Sequence, residues 1–166
     1  MRRLLALAVA VACLALASAA EAAPRWVYGY VEGVVESTFG FGSTHATTTA
    51  CRTTSPKRYR CSFRARRGAW RYRGSVRVYP FRAPDGDELF DLAFRWYRGS
   101  CGGLGSALPF QINTLNIQCG TAWRWVGNWY SRGKPMPASY VCSLRSAPAT
   151  ARCHKGARSF SFKYPE

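Results

Sequence analysis

The stretch CRTTSPKRYRCSFRARRGAWRYRGSVRVY, residues 51–79, alternates arginine with aromatic or apolar residues over most of its length. Successive side chains of a β-strand point to opposite faces of the sheet, so a period of two residues is typical of a strand. We therefore predict two strands, residues 58–66 and 70–79, joined by a turn at residues 67–69. Each strand has one apolar face and one cationic face.

The cationic faces of these two strands predict a binding surface. The apolar faces carry Tyr59, Cys61, Phe63, Ala65, Trp70, Tyr72, Val76 and Val78. The opposite faces carry the arginines that we expect to bind an anionic partner: Arg58, Arg60, Arg64, Arg66, Arg71, Arg73 and Arg77. Like charges on neighbouring strands repel, so these side chains either extend into screening solvent or bind an anion.

A third strand is predicted at residues 88–97, ELFDLAFRWY. Alternation assigns Phe90, Leu92, Phe94 and Trp96 to its apolar face and Asp91, Arg95 and Tyr97 to its cationic face. Asp91 is then the one carboxylate available to offset the arginines. Tyr79 and Tyr97 are the aromatic side chains expected on the cationic face, where they could stack against a ligand.

The charge balance of the whole chain points to the same class of partner. The sequence has 24 lysine and arginine residues against 8 aspartate and glutamate residues, a formal net charge of +16. Such an excess attracts anionic polymers and surfaces, and arginine pairs bidentately with phosphate and carboxylate. The predicted partner is an anionic extracellular polymer, nucleic acid included, or a membrane surface.

The N-terminal segment MRRLLALAVAVACLALASAAEAAP has a basic start, a short apolar run and then small residues. This order is typical of a secretory signal peptide, which we assign to residues 1–22, with the mature chain beginning near Ala20 or Ala23. The apolar run is shorter than a membrane span requires. The predicted location is extracellular or in the cell envelope.

Six cysteines follow that segment, an even number that predicts three disulfides in an exported chain. They fall into three local pairs, which favours Cys51–Cys61, Cys101–Cys119 and Cys142–Cys153. A bridge from Cys119 to Cys142 or Cys153 is the alternative. Their spacing does not match a zinc finger or ribbon, and we predict no metal and no cofactor.

The chain divides into two predicted modules around a glycine-rich join. Residues 23–98 form a helix with an antiparallel sheet, residues 99–106 form a linker, and residues 107–166 form a strand, a helix and a hairpin. The predicted fold class is α+β, with each module a helix packed on an antiparallel sheet. Residues 27–39 place valines at helical spacing, although their valine and tyrosine content leaves a strand as the alternative.

Signals for an enzyme are weak. No nucleophile elbow, phosphate-binding loop, zinc-protease motif or dinucleotide fingerprint occurs in the sequence. Glu32 and Glu36, four residues apart on the predicted helix, could form a carboxylate pair for glycoside hydrolysis, but such pairs usually lie on a solvated helix face. PDGDE, residues 84–88, gathers acids that are better explained as a turn than as a calcium site.

These observations predict a secreted, non-catalytic protein that binds anionic polymers through its arginine-rich sheet. The first alternative is a protein-binding module, such as an inhibitor of a secreted enzyme. Such a module would use the loops GSCGGLGS, residues 99–106, and SRGKPMPAS, residues 131–139. A small hydrolase is the second alternative.

Two regions of the chain resemble known kinds of exported domain. Cys51, RYRC ending at Cys61, and WRYRGSVRV resemble small uncharacterised secreted domains of actinobacteria, in which a helix precedes this pattern. NIQCGTAWRWV, YVCSL and RCHKGARSFSF resemble a recurrent exported module in which a cysteine opens a helix and a cysteine hairpin follows. The resemblance implies an α+β fold and an extracellular or envelope location. It implies no activity.

Overall fold

The computed structural model describes residues 22–102, 111–146 and 148–164. Its elements are α1 (Arg25–Gly40), β1 (His45–Ser55), β2 (Arg58–Arg67), β3 (Trp70–Arg82), β4 (Glu88–Cys101), β5 (Ile112–Leu115), α2 (Cys119–Arg132), β6 (Val141–Ser146), β7 (Ala149–Lys155) and β8 (Arg158–Lys163). The strands form one antiparallel sheet in the order β1-β2-β3-β4-β5-β8-β7-β6. The fold class is therefore α+β, as predicted. Residues 1–21 of the predicted signal peptide lie outside the described residues.

Residues 25–40 are helical, which settles the choice between helix and strand. Val27, Val31, Val35 and Phe39 recur every four residues and are buried. This stripe packs on β1, β2 and β3. Burial of a complete apolar stripe outweighs the weak helix propensity of the valines and glycines in this segment.

Both helices cover the same face of the sheet. Phe39 of α1 stacks on the ring of Tyr72 in β3, with 4.2 Å between the ring centroids. The hydroxyl of Tyr72 accepts a hydrogen bond from the backbone N–H of Cys119, at the start of α2 (3.2 Å). Burial raises the pKa of Tyr72. Because one tyrosine touches both helices, they share a single core.

The sheet continues across the predicted boundary between the modules. The linker was expected at residues 99–106, yet residues 99–101 belong to β4 and pair with both β3 and β5. Cys101 lies opposite Ile112, which begins the second half of the sheet. Residues 103–106 of the predicted linker lie outside the described residues. In the described part of the chain, the two predicted sheets are halves of one sheet.

The three predicted disulfides are present. Cys51–Cys61 and Cys142–Cys153 each join residues directly opposite one another on neighbouring strands, with Cα atoms 4.1 and 4.0 Å apart. Cys101–Cys119 ties the end of β4 to the start of α2. Cys61 is fully buried on the face beneath α1, where alternation along β2 predicted it.

A β-bulge interrupts the pairing of β3 with β4. Ser75 lies opposite Trp96, whereas the next residue, Val76, lies opposite Phe94. Arg95 is therefore an extra residue on β4. An extra residue reverses which side chains point to each face for the rest of the strand.

Candidate functional site

The seven predicted arginines lie on the face of the sheet that points away from both helices. Their apolar neighbours Tyr59, Cys61, Phe63 and Ala65 are buried on the opposite face, as alternation along β2 requires. Six of the arginines are exposed and Arg60 is half-buried. We call this surface the arginine face.

Strand register sets the arginines side by side. Three rows run across neighbouring strands: Arg52, Arg60 and Arg77; Arg64, Arg73 and Arg98; Arg66 and Arg71. Neighbouring strands lie about 4.8 Å apart, so residues within a row are close neighbours. Side chains of opposite charge on neighbouring strands would stabilise the sheet, but these rows place positive charges next to one another.

Three arginines of this face were missed by the sequence analysis: Arg52, Arg98 and Arg152. Arg52 pairs with Arg60 from the edge strand β1, and Arg152 lies on β7 opposite Ser161. Because successive side chains alternate and Cys51 and Cys153 face the core, their neighbours Arg52 and Arg152 are expected on the arginine face. Arg95, which was predicted on the cationic face, is the extra residue of the bulge, and the bulge places Arg98 on the arginine face opposite Arg73. No local sequence signal reports this displacement of Arg98.

The bulge corrects two predicted orientations. Trp96 was expected on the apolar face, but it lies opposite Ser75 on the arginine face and is 41% exposed. Tyr97 was expected on the arginine face, but it packs in the core against Phe39, with 5.1 Å between the ring centroids. Burial raises the pKa of Tyr97. The extra residue at Arg95 is the physical reason for both changes.

Two adjoining depressions cross the arginine face. The larger, of about 790 Å³, is lined by five arginines: Arg64, Arg66, Arg71, Arg73 and Arg98. The second, of about 600 Å³, extends toward Arg152 and His154. Both include Arg98, Asn113 and Thr114, so they form one groove that reaches from β1 to β7. Among the described residues that line the two depressions, none is a carboxylate.

The acidic side chains of the described residues do not neutralise these arginines. The acids are Glu32, Glu36, Asp85, Asp87, Glu88 and Asp91. Asp91 accepts a hydrogen bond from the hydroxyl of Tyr79 (2.9 Å), and this bond raises the pKa of Tyr79. Within residues 22–102, 111–146 and 148–164, the one salt bridge joins Lys57 to Glu88. No arginine in those ranges forms an ion pair.

Arg60 is the most crowded member of the face. Arg95 lowers the pKa of Arg60, and burial, Arg52 and Arg77 lower it further. The Nε atom of Arg60 is buried and has no hydrogen-bond partner among the described residues. A buried donor without an acceptor costs free energy. An anion bound beside Arg60 would offset the repulsion from the neighbouring arginines.

Glu32 and Glu36, the pair considered for glycoside hydrolysis, are bound to the edge of the sheet. The carboxylate of Glu36 accepts the backbone N–H of Ala46 (2.9 Å), and that of Glu32 accepts the N–H of Thr48 (2.8 Å). Both amides belong to the edge strand β1. Exposed edge strands can pair with other chains, and α1 blocks this edge with two side-chain acceptors.

The acidic segment at residues 84–88 forms the turn between β3 and β4. The carboxylate of Asp85 accepts the backbone N–H of Asp87 (3.1 Å), and the carbonyl of Asp87 accepts the N–H of Ala83 (2.8 Å). Side-chain bonds of this kind stabilise turns. Over the described part of the chain, no group of three or more His, Cys, Asp or Glu residues could hold a metal ion.

The loops of the alternative, protein-binding interpretation are described only in part. Gly133 closes α2 in a left-handed conformation, and Lys134 and Pro135 beyond it are exposed. None of the described helices is long and apolar enough to cross a membrane.

Comparison of this chain with protein-family models, curated proteins and solved structures gives no match. The interpretation of the arginine face therefore depends on its own geometry and chemistry.

Proposed function

We propose that this protein is a secreted, non-catalytic binding protein that holds anionic polymers on its arginine face. The observation that carries the proposal is the larger depression, whose described lining residues include five arginines and no carboxylate. Arginines that only solubilise a surface are usually interspersed with acids. Here the described residues place charges of one sign in register.

The geometry suits a chain of charges better than a single small anion. The groove spans seven strands from β1 to β7, or about 29 Å at 4.8 Å for each strand spacing. Arginines lie near both of its ends, Arg64 and Arg66 on β2, next to the edge strand β1, and Arg152 on β7. A polymer lying across the strands would meet successive guanidinium groups and release the counterions that screen them.

An extracellular location is part of the proposal. Three disulfides suit an oxidising compartment. The N-terminal sequence, with its basic start and short apolar run, supports export. Anionic polymers present outside cells include phosphate-bearing wall chains, acidic polysaccharides and released nucleic acid.

The test compares two variants with equal loss of charge. In the face variant, Arg60, Arg64, Arg71 and Arg73 become Gln. In the control, Arg25, Arg124, Arg132 and Lys134, which lie on or beside the helices, become Gln. Binding to polyphosphate, a sulfated polysaccharide and an oligodeoxythymidine is measured from about 50 to 200 mM salt. The melting temperature of each variant is recorded as well.

We expect the face variant to remain as stable as the native protein or to become more stable, because mutual repulsion is relieved. Its polymer binding should weaken, and the slope of log affinity against log salt should fall by about 3 to 4. The control should keep most of the native slope. Equal losses in both variants would show diffuse attraction by net charge and would contradict a defined binding face.

A further inference from the structure

Trp96 is an apolar platform in the middle of a cationic surface. Its indole is 41% exposed, and the guanidinium of Arg98 lies 6.0 Å from the ring centroid. The bulge at Arg95 places it there, on the face opposite the core. An exposed tryptophan that contributes little to the core and lies among arginines has the chemistry of a stacking site.

The neighbours of Trp96 in its row across the sheet have small side chains. Its row across the strands consists of Ala50, Ser62, Ser75 and Trp96, all small apart from the tryptophan. Rows of arginine flank this strip on both sides: Arg52, Arg60 and Arg77 on one side, and Arg64, Arg73 and Arg98 on the other. The flanking rows lie four residues apart along each strand, or about 13 Å.

We propose that the polymer is a single-stranded nucleic acid, with a base stacked on Trp96 and backbone phosphates held by the flanking arginine rows. This inference rests on the proposed function, since it names the class of polymer that the arginine face holds. Aromatic platforms between cationic side chains are the general means by which proteins bind single strands without reading their sequence. A duplex would not suit the strip, because its bases are already stacked and paired.

Two other polyanions fit the same surface less well. An acidic polysaccharide offers many hydroxyl groups to donate, but the described residues of the groove include no carboxylate to accept from them. A lipid surface would meet the exposed pair Phe81 and Leu89 at the tip of the β3–β4 hairpin. The turn at that tip carries Asp85 and Asp87, which repel anionic headgroups.

The experiment uses two oligonucleotides with the same number of phosphates. One is a fluorescent oligodeoxythymidine of about 16 nucleotides, and the other is an abasic strand of equal length. Fluorescence anisotropy gives the affinity of the full-length protein and of the variants Trp96→Leu and Trp96→Phe for each strand. Trp26→Leu is the control, because Trp26 is a similarly exposed tryptophan (44%) on the helix side. Circular dichroism and thermal melting show whether each variant is folded.

We expect the native protein to prefer oligodeoxythymidine over the abasic strand on the order of tenfold. Trp96→Leu should remove this preference and leave the abasic affinity unchanged. Trp96→Phe should keep most of the preference, and Trp26→Leu should keep all of it. This pattern separates stacking from a structural role, because a structural role would weaken binding of both strands together.

Other outcomes overturn the inference in distinguishable ways. Equal affinity for both strands, with no effect of Trp96→Leu, rejects base stacking. If base stacking is rejected but the four-arginine face variant loses salt-dependent binding, the proposed function stands and the partner is another polymer. Equal loss of both strands on Trp96→Leu assigns Trp96 a structural role. Absence of salt-dependent binding to every polymer rejects the inference and the proposed function together.

Discussion

Gly74 occupies a position in β3 where the structure has no room for a side chain. A Cβ atom added there would lie 2.6 Å from the Phe63 ring and 2.6 Å from the carbonyl oxygen of Trp96. Phe63 is buried in the core, and the carbonyl belongs to the bulged strand, so neither moves easily. The sequence shows only a glycine inside a predicted strand, a pattern that often marks a bulge or a close approach.

We expect Gly74→Ala to destabilise the protein by about 2 to 3 kcal/mol, a typical cost of overpacking. Gly33→Ala is the matched control, because nothing lies within 4 Å of the added atom in the interior of α1. That change should stabilise by about 0.5 to 1 kcal/mol through helix propensity. Urea unfolding at equilibrium measures both values. A neutral Gly74→Ala would show that β3 and β4 are not packed as described.

At the scale of single elements, α1 both covers the core and closes the edge of the sheet. Its apolar stripe was predictable because helical periodicity is local, and Val27, Val31, Val35 and Phe39 are buried together. The closure of the sheet edge by α1 was not predictable from the sequence. The contacts of Glu32 and Glu36 with β1 depend on how the helix crosses the strand, and no spacing in the sequence reports that crossing.

Replacing Glu32 and Glu36 together tests this function. The double change to Ala removes both acceptors, and we expect a loss of about 2 kcal/mol for each charged hydrogen bond. The double change to Gln keeps a side-chain carbonyl at each position and should cost much less. Thermal melting measures the stability, and light scattering reports association through the uncovered edge of β1. If the Ala and Gln variants melt alike, the two carboxylates do not hold the edge.

At the scale of the whole molecule, contacts cross the boundary that composition had placed near residue 99. The backbone of β4 pairs with β5, and the side-chain amide of Gln118 donates a hydrogen bond to the backbone carbonyl of Thr38 (2.9 Å). Tyr72 contacts both helices. A glycine-rich stretch is typical of a linker, but glycine also fits where strands approach closely. A Cβ at Gly99 would lie 2.5 Å from the Thr114 hydroxyl.

A continuous sheet with a shared core should unfold as one cooperative unit. Cys51→Ala with Cys61→Ala removes a cross-strand bridge from the first half, and Cys142→Ala with Cys153→Ala removes the equivalent bridge from the second. The loops closed are of similar length, with sequence separations of 10 and 11. Each double variant should lose roughly 2 to 3 kcal/mol in the chain-entropy model.

Hydrogen exchange measured on β2 and β7 identifies which part unfolds. We expect either double variant to lower the protection of the most stable amides in both strands by a similar factor. If the Cys51/Cys61 variant loses protection in β2 while β7 is unaffected, the two halves are independent modules that are joined only by strand pairing.

Features that depend on neighbours along the chain were predictable from the order of the amino acids. The period of two placed arginine and apolar side chains on opposite faces of β2 and β3, the period near four located α1, and close spacing paired the cysteines. The register between strands was not predictable in this way. One extra residue at Arg95 turns Trp96 toward the arginines and Tyr97 into the core. Side-chain alternation is a local property of the backbone, whereas register depends on packing between strands distant in sequence.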